Sequence, residues 1–199
     1  TGSTTGRGLY VGMTRGRQIG LAVLMLLAVA SVLLVAASAL AQTFPTLSGR
    51  VVDAANVIPA DAEARLDQKL AGLEAQSGRQ LVVTTLPSLE GYEISDYGYR
   101  LGRHWGIGSK EKNDGALLIV APSERKLRIE VGYGLEGIIT DGLSSLIIQE
   151  AVVPKFKAGD LPGGIEAGVD ALVTQLTLPE DQARIAAAKA RVPEPEGEG

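Results

Sequence analysis

Five acids stand where a folded chain would turn. Asp53, Asp114, Glu130, Glu136 and Asp141 each lie at or near an expected strand end or a glycine turn. Open α/β sheets form ligand crevices at such ends. Carboxylates gathered there repel one another unless a cation sits between them. An oxygen-only donor set favours Ca²⁺, Mg²⁺ or Mn²⁺ and not zinc. The competing reading makes the same acids ordinary helix caps and solvated turn residues, and no contiguous EF-hand loop opposes it. The chain has no Cys and one His. That excludes a thiolate zinc site, a Cys nucleophile and any multi-histidine metal site. The single His104 lies beside Trp105 near an expected helix end, with no G-x-S-x-G serine to serve. Stabilising the helix C-terminus, or simple exposure, is its better reading. Gly132, Gly134 and Gly137 match G-x-G-x-x-G after an expected strand, a pattern that can cradle a pyrophosphate. Here Glu136 inside the loop would repel that group, and the next helix runs into Pro154 instead of a second parallel strand. A glycine turn leaving a hairpin accounts for it better, and no nucleotide cofactor is expected.

The elements that would hold these residues are legible from periodicity. After Pro59, the residues Ala62, Leu66, Leu70 and Leu73 share one helical stripe, and Gly78 suits the helix end. QLVVTTL (80–86) is β-branched and reads as a buried strand closed by Pro87. Ile94, Tyr97, Leu101 and Trp105 mark a second amphipathic helix, broken by Gly106-Ile107-Gly108. ALLIVA (116–121) is a strand covered on both faces. Across 126–131, Leu127, Ile129 and Val131 alternate strictly with Lys126, Arg128 and Glu130, so the two runs form an antiparallel hairpin. Asp141 is expected to cap a helix running through Glu150, and 165–176 is expected to be a last core helix. The segment from Leu178 onward reads as an Ala/Arg/Lys helix candidate followed by PEPEGEG, solvated and dispensable. The order implies an α/β domain with a small mixed sheet and helices on both faces.

Residues 1–41 differ from the rest. They hold three Arg and no acid, and Leu21–Ala41 is uncharged. From Met13 the order is basic region, apolar stretch, then Ala39-Leu40-Ala41, the layout of a signal peptide cleaved before Gln42. The rival reading is a membrane anchor, since about 20 apolar residues span a bilayer. Either reading places the remainder in the periplasm or outside the cell, soluble or anchored facing outward. Residues 42–199 carry 16 basic and 23 acidic side chains, a charge of −7. That suits divalent cations or a basic partner and argues against nucleic acid.

A longer pattern runs through the middle of the chain. Asp96-Tyr97, Trp105-Gly106-Ile107-Gly108, Asn113-Asp114-Gly115 before ALLIVA, then RIEVGYGLEG (128–137) and Thr140-Asp141 together resemble the TPM domain family; Pro154, Phe156, Gly159 and Gly163-Gly164 continue the match. The resemblance implies a three-layer α/β/α sandwich exposed to the periplasm, the cell exterior or the thylakoid lumen. It implies a domain over 48–177, a linker over 42–47 and a tail over 178–199. Family members are linked to photosystem II repair, respiratory-complex upkeep and modulation of an acetylcholine receptor. Some bind Ca²⁺ or related cations in an acidic cleft, and a chloroplast member is credited with weak acid phosphatase activity. Carried over, Asp114, Glu136 and Asp141 would line that cleft, with Asp53 a weaker candidate. Arg125 and Arg128 would hold a phosphate or pair with the acids. The function implied is a cation-binding interaction module serving a membrane protein complex or envelope protein, with a weak metal-dependent phosphatase as the alternative.

Overall fold

In a computed structural model, the described residues are 19–20, 23–28 and 42–190. The chain divides into two compact units, Thr1–Thr43 and Phe44–Gly199. In the first, 19–20 and 23–28 are helical and exposed. Among the described residues, no helix is long and apolar enough to cross a membrane. The rest of the expected leader, with its cleavage site, lies outside the described residues, as does the PEPEGEG end.

The second unit is built on a four-stranded sheet: β1 (Val51–Asp53), β2 (Gln80–Thr85), β3 (Gly115–Ala121) and β4 (Lys126–Val131), in that spatial order. The first three are parallel, and β4 is antiparallel to β3, with Ala116 opposite Val131 and Ala121 opposite Lys126. All seven residues of β3 are buried, as its unbroken apolar run predicts.

Helix α1 (Ala60–Ser77) lays Ala62, Leu66, Leu70 and Leu73 on one face of the sheet, and Gly78 ends it in the left-handed conformation at φ 70°. Helix α2 (Ile94–Trp105) covers the other face with Tyr97 and Leu101 against Val82, Leu117 and Ile119. The fold is a three-layer α/β/α sandwich. Its strands step in one direction from β1 to β3, yet the two crossover helices lie on opposite faces. The two crossovers therefore have opposite hands, and one of them is left-handed, against the strong preference for right-handed βαβ units.

After a 3₁₀ turn (Tyr133–Leu135) come α3 (Asp141–Ile147), a π turn (Ile148–Val152), α4 (Val153–Lys157), α5 (Leu161–Thr177) and α6 (Glu180–Lys189). Three expectations are corrected here. The cap of α3 is Thr140, whose Oγ1 accepts from Leu143 N at 3.2 Å, while Asp141 sits in the first turn. The helix does not run regularly through Glu150. It widens into the π turn just before Pro154, which has no N–H to give a preceding turn. Finally, the described residues after Leu178, as far as Ala190, are not a solvated tail. Helix α6 buries Ala183 and Ala187, and the buried Gln175 Nε2 donates to Ile138 O at 2.6 Å and Ala183 O at 2.8 Å.

Candidate functional site

The glycines that suggested a phosphate cradle serve a different end. Gly132 N donates to Gly115 O at 2.7 Å and Gly134 N to Asn113 O at 3.1 Å, so the 132–134 turn lies flat on the 113–115 loop. A Cβ on Gly134 would stand 2.0 Å from Lys112 O, and one on Gly132 would stand 2.2 Å from Asn113 O. Gly108, at φ +86°, meets Gly115 in the same way, with 2.4 Å from its ideal Cβ to Gly115 N. The α2–β3 loop thus closes on itself at Gly108 and Gly115 and interlocks backbone to backbone with the 132–134 turn, which only glycine permits.

This interlock floors a cleft of about 550 Å³ at the amino end of β3 and the carboxyl end of β4. The last turns of α2 form one wall with Tyr99, Gly102 and Arg103. Lys110, Glu130, Tyr133 and Glu136 complete the rim. Tyr133 is 81% exposed and Tyr99 54% exposed. The Arg103 guanidinium lies 5.6 Å from the centre of the Tyr99 ring and donates to its hydroxyl at 3.2 Å. The cleft thus presents aromatic surface with charges of both signs. Sequence reasoning missed Tyr99, Arg103, Lys110 and Tyr133. The available signals were Tyr99 standing off the apolar stripe of its helix and Tyr133 flanked by two glycines.

The predicted acids do not converge on one centre. Asp53 lies at the carboxyl end of β1 and Asp114 at the amino end of β3; since the strands are parallel, these are opposite ends of the sheet. Asp53 Oδ1 accepts from Val57 N at 3.1 Å and Oδ2 from Ile58 N at 2.8 Å, and Thr85 Oγ1 also donates to Oδ1. Asp114 Oδ1 accepts from Ser109 N and Ser109 Oγ, both at 2.8 Å. Burial works to raise the Asp114 pKa, but the Ser109 hydrogen bonds outweigh it and hold the carboxyl below its ordinary value. Glu136 and Asp141 do share a cleft, one of about 430 Å³ along the outer side of β4, with Thr140 between them. Glu130 reaches the α2 face, where its carboxylate takes the Arg128 Nε–H at 2.6 Å. Arg128 is therefore already paired. Arg125 is exposed in the β3–β4 turn at the far end of the hairpin, where its N–H donates to Pro122 O at 3.1 Å.

Among the described residues, no group of three or more His, Asp or Glu side chains is placed to hold a metal ion. Ca²⁺ takes six to eight oxygens. Asp53 and Asp114 stand at opposite ends of the sheet, so the four acids do not form a single cage. Glu136 and Asp141 are left as a pair of open carboxylates.

The TPM domain matches residues 51–175. The chain belongs to the TPM domain family. A solution structure of the N-terminal domain of a Porphyromonas gingivalis protein is 34% identical, with a TM-score of 0.60, covering 64% of this chain and 81% of that one. The N-terminal domain of a Corynebacterium glutamicum protein is 17% identical at a TM-score of 0.52, covering 68% and 84%. A protein of the psychrophile Bizionia argentinensis is 16% identical at 0.54, covering 61% and 82%. These last two share the fold. No curated protein matches the chain. In this TPM domain, α6 lies beyond the matched residues, yet it packs on the family core.

Proposed function

We propose that this TPM domain is an exported interaction module that binds a protein of the cell envelope, a subunit of a membrane protein complex, in support of its assembly or maintenance. The observation that carries this reading is the tyrosine cleft. Exposed tyrosine rings beside an Arg side chain are the residue types enriched at protein-recognition surfaces, and Lys110, Glu130 and Glu136 stand at the rim, where charge is tolerated. The neighbouring Ser109–Asp114 pair makes a poor nucleophile and base, because a general base works best with a pKa near the operating pH and Asp114 is held low. Glu136 and Asp141 would add a weak divalent-cation contact at the edge of that surface, in the millimolar range of about 10⁻³ M known for extracellular modules.

Removing the rings tests it. Tyr133→Ala and Tyr99→Ala, both at exposed positions, should fold with unchanged melting temperature and lose most of the membrane partner that the unsubstituted domain retains. Equal retention by both variants would sink the cleft as the binding surface. A phosphatase reading draws on Arg103 and Lys110 standing in the same cleft as Glu130 and Glu136. It requires hydrolysis of p-nitrophenyl phosphate that falls in both Arg103→Ala and Glu136→Gln; activity that survives both belongs to a contaminant.

A further inference from the structure

Strand β4 ends the sheet, and among the described residues its outer side has no partner strand. The bond from Gly132 N to Gly115 O fixes the phase of the antiparallel ladder. Gly132, Glu130, Arg128 and Lys126 exchange their backbone bonds with β3, and Val131, Ile129 and Leu127 turn N–H and C=O outward. No described residue hydrogen-bonds to those outward groups. Natural sheets usually blunt such an edge with a bulge, a proline or a covering element. Here β4 has no proline and pairs with β3 in unbroken register, and what stands opposite its outer side is a helix across a cleft, with no described strand on it.

That space is a groove. Two adjoining clefts, about 430 Å³ and about 270 Å³, run along β4 and share Arg128, Ile129 and Asp141 in their walls. The far wall comes from Asp141, Ser144, Ser145 and Ile148 on and after α3. Glu136 and Asp141 give the groove its charge, because Arg128 is neutralised by Glu130. An extended segment laid here would complete the outward amides of β4 and would be favoured by basic side chains facing Glu136 and Asp141.

We infer that the outer edge of β4 is a strand-addition site for an extended, basic peptide segment of a partner protein. It adjoins the tyrosine cleft but does not depend on it, so the two readings can fail separately. The test is an amide NMR titration of residues 44–199, the compact unit, in EDTA so that cation binding plays no part. The probe is a blocked octapeptide of alternating Val and Lys. Saturable shifts should centre on Leu127, Ile129 and Val131 and persist in Tyr133→Ala. A Val–Glu octapeptide, and a Val–Lys octapeptide N-methylated at alternate amides, should each bind about tenfold more weakly. Glu136→Lys with Asp141→Lys, both exposed, should reverse the preference between the Lys and Glu peptides. Four results would overturn the inference: shifts absent from β4, shifts confined to the tyrosine cleft, equal binding of the N-methylated peptide, or β4 signals that change with protein concentration alone, which would show self-pairing.

Discussion

A carboxylate that binds metal and one that ties down a loop look alike in a sequence, and Asp53 shows how the two differ energetically. Its oxygens satisfy Val57 N, Ile58 N and the Thr85 hydroxyl, closing the turn from β1 toward α1. Asp53→Ala leaves those donors without acceptors and should cost about 2–3 kcal/mol in urea unfolding, even in EDTA. A metal ligand would behave oppositely, since without the ion its loss relieves repulsion; an unchanged or increased stability would reject the loop-closing role. Asp114 carries a pH signature. Its folded pKa is lowered from the ordinary 3.8, so its contribution is complete above pH 3.8 and is lost as pH falls further, through the folded value. Asp114→Asn should flatten the acid limb of the stability–pH curve below pH 3.8 relative to the unsubstituted chain. Gly134 gives the third residue-scale prediction. It is solvent-exposed, so Gly134→Ala would pass for a harmless surface change, but the new methyl would meet Lys112 O. The substitution should cost about 1–3 kcal/mol; a neutral result would mean the loops are not interlocked. The spacing of these glycines was visible in the sequence, but their purpose was not, because the partner backbone lies some twenty residues away in another loop.

Elements were more legible than sites because burial imposes period. The stripes of α1 and α2, the continuous run of β3 and the alternation of β4 each reflect a face that must leave water, and each is found where its period predicts. Handedness leaves no such trace. Nothing in the strand patterns distinguishes a left-handed crossover from a right-handed one, so the placement of α1 and α2 on opposite faces of strands stepping one way needed the structure. The helix at α6 is legible but its burial is not, for a related reason: alanine contributes little apolar area, so a short Ala-rich helix has a faint stripe. The fold nonetheless uses it. Ala183 and Ala187 are buried, and the Arg184 guanidinium fills the space over Gly137, 2.3 Å from where a Cβ would lie. Ending the chain after Leu178 should therefore lower the melting temperature by roughly 5 °C, the equivalent of about 2 kcal/mol in a domain this size. Ala183→Glu should reproduce much of the loss at full length, because it places a charge at a fully buried position. A truncated chain that melts with the full one would restore the reading of a dispensable tail.

For the whole molecule, the question is what an excess of seven acids over bases in residues 42–199 is for. A general negative field attracts any cation and fades with ionic strength, whereas a site discriminates. The structure spends several acids on internal work: Asp53 on a turn, Asp114 on Ser109, and Glu74, Glu166 and Asp170 on ion pairs that join elements or helices. Only Glu136 and Asp141, of the predicted four, remain open toward one groove. Two carboxylates holding Ca²⁺ with a dissociation constant of about 1 mM would stabilise the fold by about 1 kcal/mol at 5 mM Ca²⁺, a rise of roughly 2–4 °C. The measurement is thermal unfolding with Ca²⁺, Mg²⁺ or Mn²⁺ against NaCl of equal ionic strength, which cancels screening. The rise should vanish in Glu136→Gln with Asp141→Asn. It should persist in Asp114→Asn, whose carboxylate serves Ser109. A rise that is lost in Asp114→Asn instead would place the cation at the Ser109 loop. No rise over NaCl would assign the charge to the field alone, and would leave recognition of a basic partner as the use of the acidic surface.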